Sequence, residues 1–221
     1  DPDIVYATDP GDTSSYVMDF YSQNGQAMSK SWGSGKTGTW NREHVWCQSL
    51  SNGLWGENGG GADLHHLRPL ESTLNSTRNN HPFGYVPTHN SNTAKYPKNT
   101  SGSFITDKVG GWYMSGLDAF EPNDESKGDV ARTLMYVYTH YNTYTNVGGS
   151  TNGSGSSSYF GELRITDIVN ANSEAAAWGL LLDWSSLDPV STVESTKNEA
   201  AARFQGNRNP FIDHPEYADI V

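Results

Sequence analysis

The chain has 221 residues, with 14 Lys plus Arg against 25 Asp plus Glu and a net charge of −11. Its length suits one domain with a sizeable core, seven Trp, twelve Tyr and seven Phe argue against disorder, and a lone Cys47 excludes a disulfide framework or a multi-cysteine metal site. The acidity argues against a general binder of nucleic acid or anionic membrane, and the longest nearly apolar stretch, 175–182, is far short of the roughly 20 residues a bilayer needs.

Residues 1–40 begin acidic and turn Gly/Ser-rich, and SWGSGKTGTW (31–40) reads as a loop entering a strand. Asp1-Pro2 opens without a basic and then apolar leader pattern, so a signal peptide is expected to be absent or already removed. Low lysine, abundant Ser, Thr and Asn, and almost no thiol suit a mature secreted protein, extracellular or periplasmic. The clearest helix is 125–142, with Asp124 or Ser126 as cap and Val130, Leu134, Val137 and Tyr141 at helical spacing. The Gly/Ser/Asn run 146–158 reads as a flexible surface loop. Two further helices are predicted: 174–184, capped by Ser173, and one from Asp188-Pro189 to Gly206. Short strands between few long helices give a mixed, loop-rich α+β chain, read as a single domain over 1–221.

The chemistry concentrates early. Of seven histidines, His44, His65, His66 and His81 lie within 38 residues, in the blocks NREHVWCQS (41–49), GADLHHLRP (61–69) and LNSTRNNHPFG (74–84). Glu43 offers a hard oxygen ligand for a cation such as Mg²⁺, and His44 beside it a general base. On a regular strand their side chains point to opposite faces, so they share a site only where the strand ends or bends. Asn75 follows His44 by 31 residues, in a segment whose Leu70, Leu74 and Thr77 predict a short helix. A hairpin followed by that helix brings a base and two oxygen ligands together over about 41–84, an arrangement that resembles the ββα-metal, or His-Me finger, nuclease site.

The match extends further. REHVW (42–46), DLHHLRP (63–69), NSTRNN with HPFG (75–84), GDVAR (128–132), LLDWSSLDPVSTVE (181–194) and QGNRNPFIDHPEYA (205–218) resemble, in order and across nearly the whole chain, the bacterial endonuclease I family of secreted, non-specific nucleases. One departure is Cys47, where the family pattern leads us to expect proline; its effect is expected on the turn after the base rather than on the chemistry. The resemblance implies that Glu43 ligates a metal, that Asn75 does so through its amide oxygen, and that His44 is the general base. It also implies Mg²⁺, with Mn²⁺ or Ca²⁺ as substitutes, DNA and RNA as substrates, products carrying a 5′ phosphate, and a monomer acting away from membranes.

Other residues stay open. Arg78, three residues after Asn75, is either a phosphate clamp or a structural salt bridge. One of His65 and His66 orients His44 or the metal shell while the other faces away, or both simply pack. His81 reads as a loop residue and Asp129–Arg132 as a structural pair. Asp213 and His214 read as a buried network bracing the site. Trp32, Trp40, Trp46 and Trp55 read as core or groove wall. Asn75-Ser76-Thr77 is also a glycosylation sequon, and metal duty requires Asn75 to be unmodified.

Two alternatives are a zinc-dependent hydrolase using His44, His65, His66 and Asp63, and a non-catalytic secreted polysaccharide-binding module. The second leaves the Glu-His and Asn blocks unexplained. Sorted along the chain, the charge is −5 over residues 1–29, +3 over 30–98 and −9 over 99–221. The acidity thus lies outside the active segment, which predicts modest substrate affinity with a shallow salt dependence.

Overall fold

The computed structural model describes residues 16–27, 37–51, 59–99, 101–105, 108–141, 164–166 and 174–221. The 146–158 run, Ser173, Trp32 and Trp55 lie outside them. The fold is α+β: small sheets packed around a helical centre.

Strands β1 (Tyr16–Met18) and β2 (Gly25–Ala27) form an antiparallel pair. The turn between them is fastened to the next sheet, because the Asp19 carboxylate accepts from Ser22 Oγ at 2.5 Å and from the Glu71 amide at 2.6 Å. Phe20 N–H also donates to the Pro69 carbonyl. Strand β3 (Trp40–His44) runs antiparallel to β4 (Leu67–Glu71), placing Glu43 opposite Arg68 and His44 opposite Leu67. Helix α1 (Ser72–Arg78) leaves β4 directly, and the Glu71 side chain caps it by accepting from Leu74 N–H. It stops at Asn79, whose φ of 50° breaks the helical path. The hairpin expected from the sequence is thus formed by β3 and β4, which flank the long 45–66 connection.

A second sheet has the order β5 (Ala94–Lys95), β6 (Gly111–Tyr113), β7 (Phe120–Pro122). Helix α2 (Lys127–Tyr141) follows, and β8 (Arg164–Thr166) pairs in parallel with β9 (Glu174–Ala177). Helices α3 (Trp178–Leu187), α4 (Thr192–Gln205) and α5 (Pro210–Asp213) complete the described chain.

The core gathers Val130, Leu134 and Val137 of α2, Leu181 and Trp184 of α3, Phe20 and Tyr21 from the turn after β1, Phe83, and Phe120 of β7. Helix α2 is buried on nearly all sides, so its charges need partners. Arg132 forms a bidentate pair with Glu194, Nε–Oε1 at 2.7 Å and Nη2–Oε2 at 2.6 Å, and also donates to the Asp188 carbonyl. Arg132 and Asp129 approach to 3.9 Å, in the structural role read from their spacing. Gly128 makes this packing possible: a Cβ there would lie 1.9 Å from the Asp188 carbonyl oxygen.

Three helix boundaries differ from the sequence reading. The segment before α2 is capped by Asn123, whose side chain accepts from Glu125 N–H, so neither Asp124 nor Ser126 holds that position. Residues 174–177 are strand β9, and α3 begins only at Trp178 after Ala177, which provides no side-chain cap. Helix α4 starts at Thr192 because Ser191 and Glu194 form a reciprocal capping box; Asp188 instead accepts from Gly128 N–H with its carboxylate. Its end at Gly206, φ 87°, agrees with the reading. No helix among the described residues is long and apolar enough to cross a membrane.

Candidate active site

An open cleft of 410 Å³ lies where β3 ends against α1, lined by Arg42, Glu43, His44, Cys47, Gln48, Ser49, Asn75, Ser76, Asn79 and Asn80. His44 is the last residue of β3, and this strand end lets adjacent residues 43 and 44 both border one cleft.

Glu43 is buried. Its Oε1 accepts from Tyr21 Oη–H at 2.6 Å and lies 3.4 Å from Arg78 Nε. Both contacts fall on Oε1, and the residue borders the cleft. Burial pushes its carboxyl up to about 7, against the opposing pull of Arg78 and the Tyr21 hydroxyl.

His44 Nε2 sits 3.0 Å from the Gly61 carbonyl. A carbonyl cannot donate, so Nε2 carries the hydrogen and Nδ1 keeps the lone pair. Burial, followed by neighbouring His66, pushes the imidazole down to about 4, so it is neutral at neutral pH. Asn75 Nδ2 donates to Asn41 Oδ1 at 2.8 Å and to the Arg42 carbonyl at 3.1 Å. Those two acceptors fix which end of the amide carries the nitrogen, and so distinguish Oδ1 from Nδ2. Carboxylate and amide oxygens are the donors a hard divalent cation takes, and such a cation usually keeps several waters besides one or two protein ligands. Glu43 and Asn75 thus fit one.

The two adjacent histidines part company. Trp46 N–H donates to His66 Nε2 at 2.9 Å, which leaves His66 Nδ1 to donate to the Gly60 carbonyl at 2.6 Å. The His66 ring lies edge-on to His44 with centroids 5.5 Å apart. The short 3₁₀ turn Gly59–Ala62 is therefore a platform whose successive carbonyls receive His66 and His44. His65 points elsewhere, to the Asn207 carbonyl at 3.0 Å and against the Tyr136 ring. Asp63 accepts from Tyr136 and Tyr141 hydroxyls, Gln205 Nε2 and His65 N–H, all within 2.9 Å. Burial opposes ionisation of Asp63, but these hydrogen bonds outweigh it and hold its carboxyl below the usual range.

Arg78 is fully buried. Its Nη1 donates to the Asn79 carbonyl, its Nη2 to the Val45 carbonyl, and its guanidinium lies over the Phe83 ring at 4.6 Å. It faces Glu43 from inside, so of the two readings from sequence the geometry is that of a structural ion pair. Asp213 and His214 do not form a buried network at the cleft. Asp213 is held by Arg208 and Asn198, and exposed His214 by Glu216 and Tyr217. His81 is a loop residue bonded to Asp118 and stacked on Tyr113. Trp40 and Trp46 are core. Cys47, where proline was expected, donates its thiol to the Asn79 carbonyl at the cleft floor.

The zinc alternative fails on geometry. Both ring nitrogens of His66 are taken, His65 points away, and among the described residues no three His, Cys, Asp or Glu side chains are placed to hold a metal. Sequence reasoning missed Tyr21, Asn41 and the Gly60–Gly61 carbonyls. Tyr21 is 22 residues from Glu43, and a backbone carbonyl has no sequence signature.

Comparison with known proteins places the chain in a family. The family model of endonuclease I matches residues 3–216. An extracellular ribonuclease of Bacillus amyloliquefaciens is 38% identical over 218 residues, covering 96% of this chain and 63% of its own length. An extracellular ribonuclease of Bacillus subtilis (strain 168) is 37% identical over 202 residues, covering 89% and 58%. The chain thus spans about three fifths of the length of these relatives. On the match to its family model, the chain belongs to the endonuclease I family.

Proposed function

We propose that the protein is a secreted, divalent-metal-dependent endonuclease. It acts as one domain and as a monomer, hydrolysing phosphodiester bonds in RNA and DNA with little sequence selectivity. The observation that carries this reading is the pairing of His44 Nδ1, freed by the Nε2 bond to Gly61, with the Glu43 and Asn75 oxygens around one cleft. Membership of the family supports nucleic acid as substrate, and the names of the two relatives support RNA among the substrates and secretion.

His44 Nδ1 takes a proton from a water aligned with the scissile phosphorus. The Gly61 carbonyl holds the ring in that tautomer and stabilises the imidazolium that forms. Glu43 and Asn75 hold the cation, Mg²⁺ by preference with Mn²⁺ or Ca²⁺ as substitutes. When bound, it supplies positive charge beside the phosphate and its leaving oxygen. Tyr21 and Arg78 keep the Glu43 carboxylate in place from behind, and His66 holds the loop that carries Gly61. Cleavage on the 3′-oxygen side leaves the phosphate on the 5′ end of the product.

Incubation of the protein with plasmid DNA and with RNA, with Mg²⁺ or with chelator, tests this in one gel. We expect fragments of both polymers in Mg²⁺ and none with chelator. Intact polymers in Mg²⁺, or unchanged cleavage with chelator, would overturn the reading.

A further inference from the structure

Beyond β5 the chain folds back on itself. Lys98 pairs antiparallel with Phe104, between the Ile105 N–H bond to the Pro97 carbonyl and the Asn99 N–H bond to the Ser103 carbonyl. Residues directly across such a ladder share a face, and here they touch: the Lys98 ammonium stands 4.7 Å from the centroid of the Phe104 ring. Tyr96 meets the same ring edge-on, with centroids 6.4 Å apart. Although it is held in this way, Phe104 remains 59% exposed. A single exposed apolar side chain is ordinary on a protein surface. This one differs in being placed, with a flat π surface and a positive charge side by side.

The surrounding charge has the same sense. In a chain of net charge −11, residues 72–106 contain no Asp or Glu and carry Arg78, Lys95 and Lys98. Arg78 is turned inward, while Lys95 and Lys98 are both partly exposed. We propose that this hairpin binds a single strand of nucleic acid outside the cleft, a base stacking on Phe104 while Lys98 meets the adjoining phosphate. The proposal rests on the nuclease reading above and extends it to the form of the substrate. In a duplex each base face is covered by its neighbour, so the platform holds unpaired RNA or DNA. Stacking requires no particular base, in keeping with little sequence selectivity. A neutral polysaccharide would use the ring and leave the lysine without a role, so the charge favours nucleic acid.

The test follows anisotropy of a fluorescein-labelled oligouridylate of about 12 nucleotides, in chelator across a salt series. Wild type is compared with Phe104→Ala, Phe104→Leu and Lys98→Gln, and the same strand annealed to its complement is the second probe. We expect both Phe104 variants to raise the single-strand Kd about tenfold at unchanged salt slope, because leucine restores apolar area without a flat face. Lys98→Gln should flatten the slope by roughly 0.7, one phosphate's worth on a single strand. Duplex Kd and melting temperature should be unchanged in all three. No single-strand binding by wild type, or wild-type Kd in either Phe104 variant, would overturn the proposal. So would Phe104-dependent retention on a neutral glucan with unchanged oligouridylate binding. Wild-type protein that cleaves neither polymer in Mg²⁺ would overturn the nuclease reading instead, with the anisotropy series still deciding whether the hairpin binds a single strand.

Discussion

Two buried arginine–glutamate pairs are built differently. Arg132 and Glu194 meet in a bidentate fork at 2.6 and 2.7 Å, and Glu194 also completes the capping box of α4. Arg78 and Glu43 meet through one nitrogen at 3.4 Å, with two Arg78 donors spent on the Asn79 and Val45 carbonyls. The first pair saturates its carboxylate and locks α2 to α4. The second steadies, through one oxygen, the carboxylate of a residue that borders the cleft. A buried ion pair can serve as a fastener or as a mount, and the distribution of hydrogen bonds tells which.

The cleft side should respond in activity. His44→Ala is expected to lower kcat by ~10²–10⁴-fold with little change in melting temperature, measured by cleavage and thermal unfolding. The matched pair Glu43→Gln and Glu194→Gln separates mount from fastener. Glu194→Gln should cost about 3–5 kcal/mol of stability, because it strands the buried Arg132 charge, yet leave Mn²⁺ affinity of the folded protein intact. Glu43→Gln should abolish Mn²⁺ binding in calorimetry while also costing stability, since it removes the carboxylate beside buried Arg78; equal loss of Mn²⁺ binding in both variants would erase the distinction. Tyr21→Phe keeps the ring in the core and removes the hydroxyl on Glu43, so the half-saturating Mg²⁺ concentration should rise about 10–100-fold.

The smallest effect concerns pH. Asp63 has its folded pKa depressed by hydrogen bonds, so it contributes stability that is present above the unfolded carboxyl value near 3.8 and lost as pH falls through the folded value. Denaturant unfolding between pH 5 and 2 should show this loss, and Asp63→Asn should flatten that limb; an equal slope in both proteins would assign the acid sensitivity elsewhere.

How much of this was legible in the sequence depends on where the information resides. That Glu43, His44 and Asn75 would border one cleft could be read from the sequence because their order and the hairpin-then-helix pattern are local. The inward turn of Arg78 could not, because it follows from Asn79 leaving the helix and from the Val45 carbonyl arriving from another segment. Helical spacing placed Arg78 on the face of Asn75, but one residue from a helix end that spacing decides little. The caps show the same limit: Ser191 and Glu194 had the capping-box signature, yet Pro189 was the more conspicuous start signal. For the fold, the apolar periodicity of 130–141 carried through to α2, whereas 174–177 is strand paired in parallel with β8 despite the high helical preference of its alanines, which tertiary context overrides.

The Asp63 hub bears on whether the site can stand alone. Strands β3 and β4 and helix α1 are a compact stretch of chain, yet the carbonyl that orients His44 belongs to a turn continuous with Asp63. Asp63 in turn is bonded to residues 73, 78 and 142 positions further on. Closing loops of that length is an entropic cost that local pairing does not meet. The short unit that carries the candidate site is therefore not a transplantable cassette: excised from α2 and the end of α4, it would keep its residues and lose the geometry that brings them to one cleft.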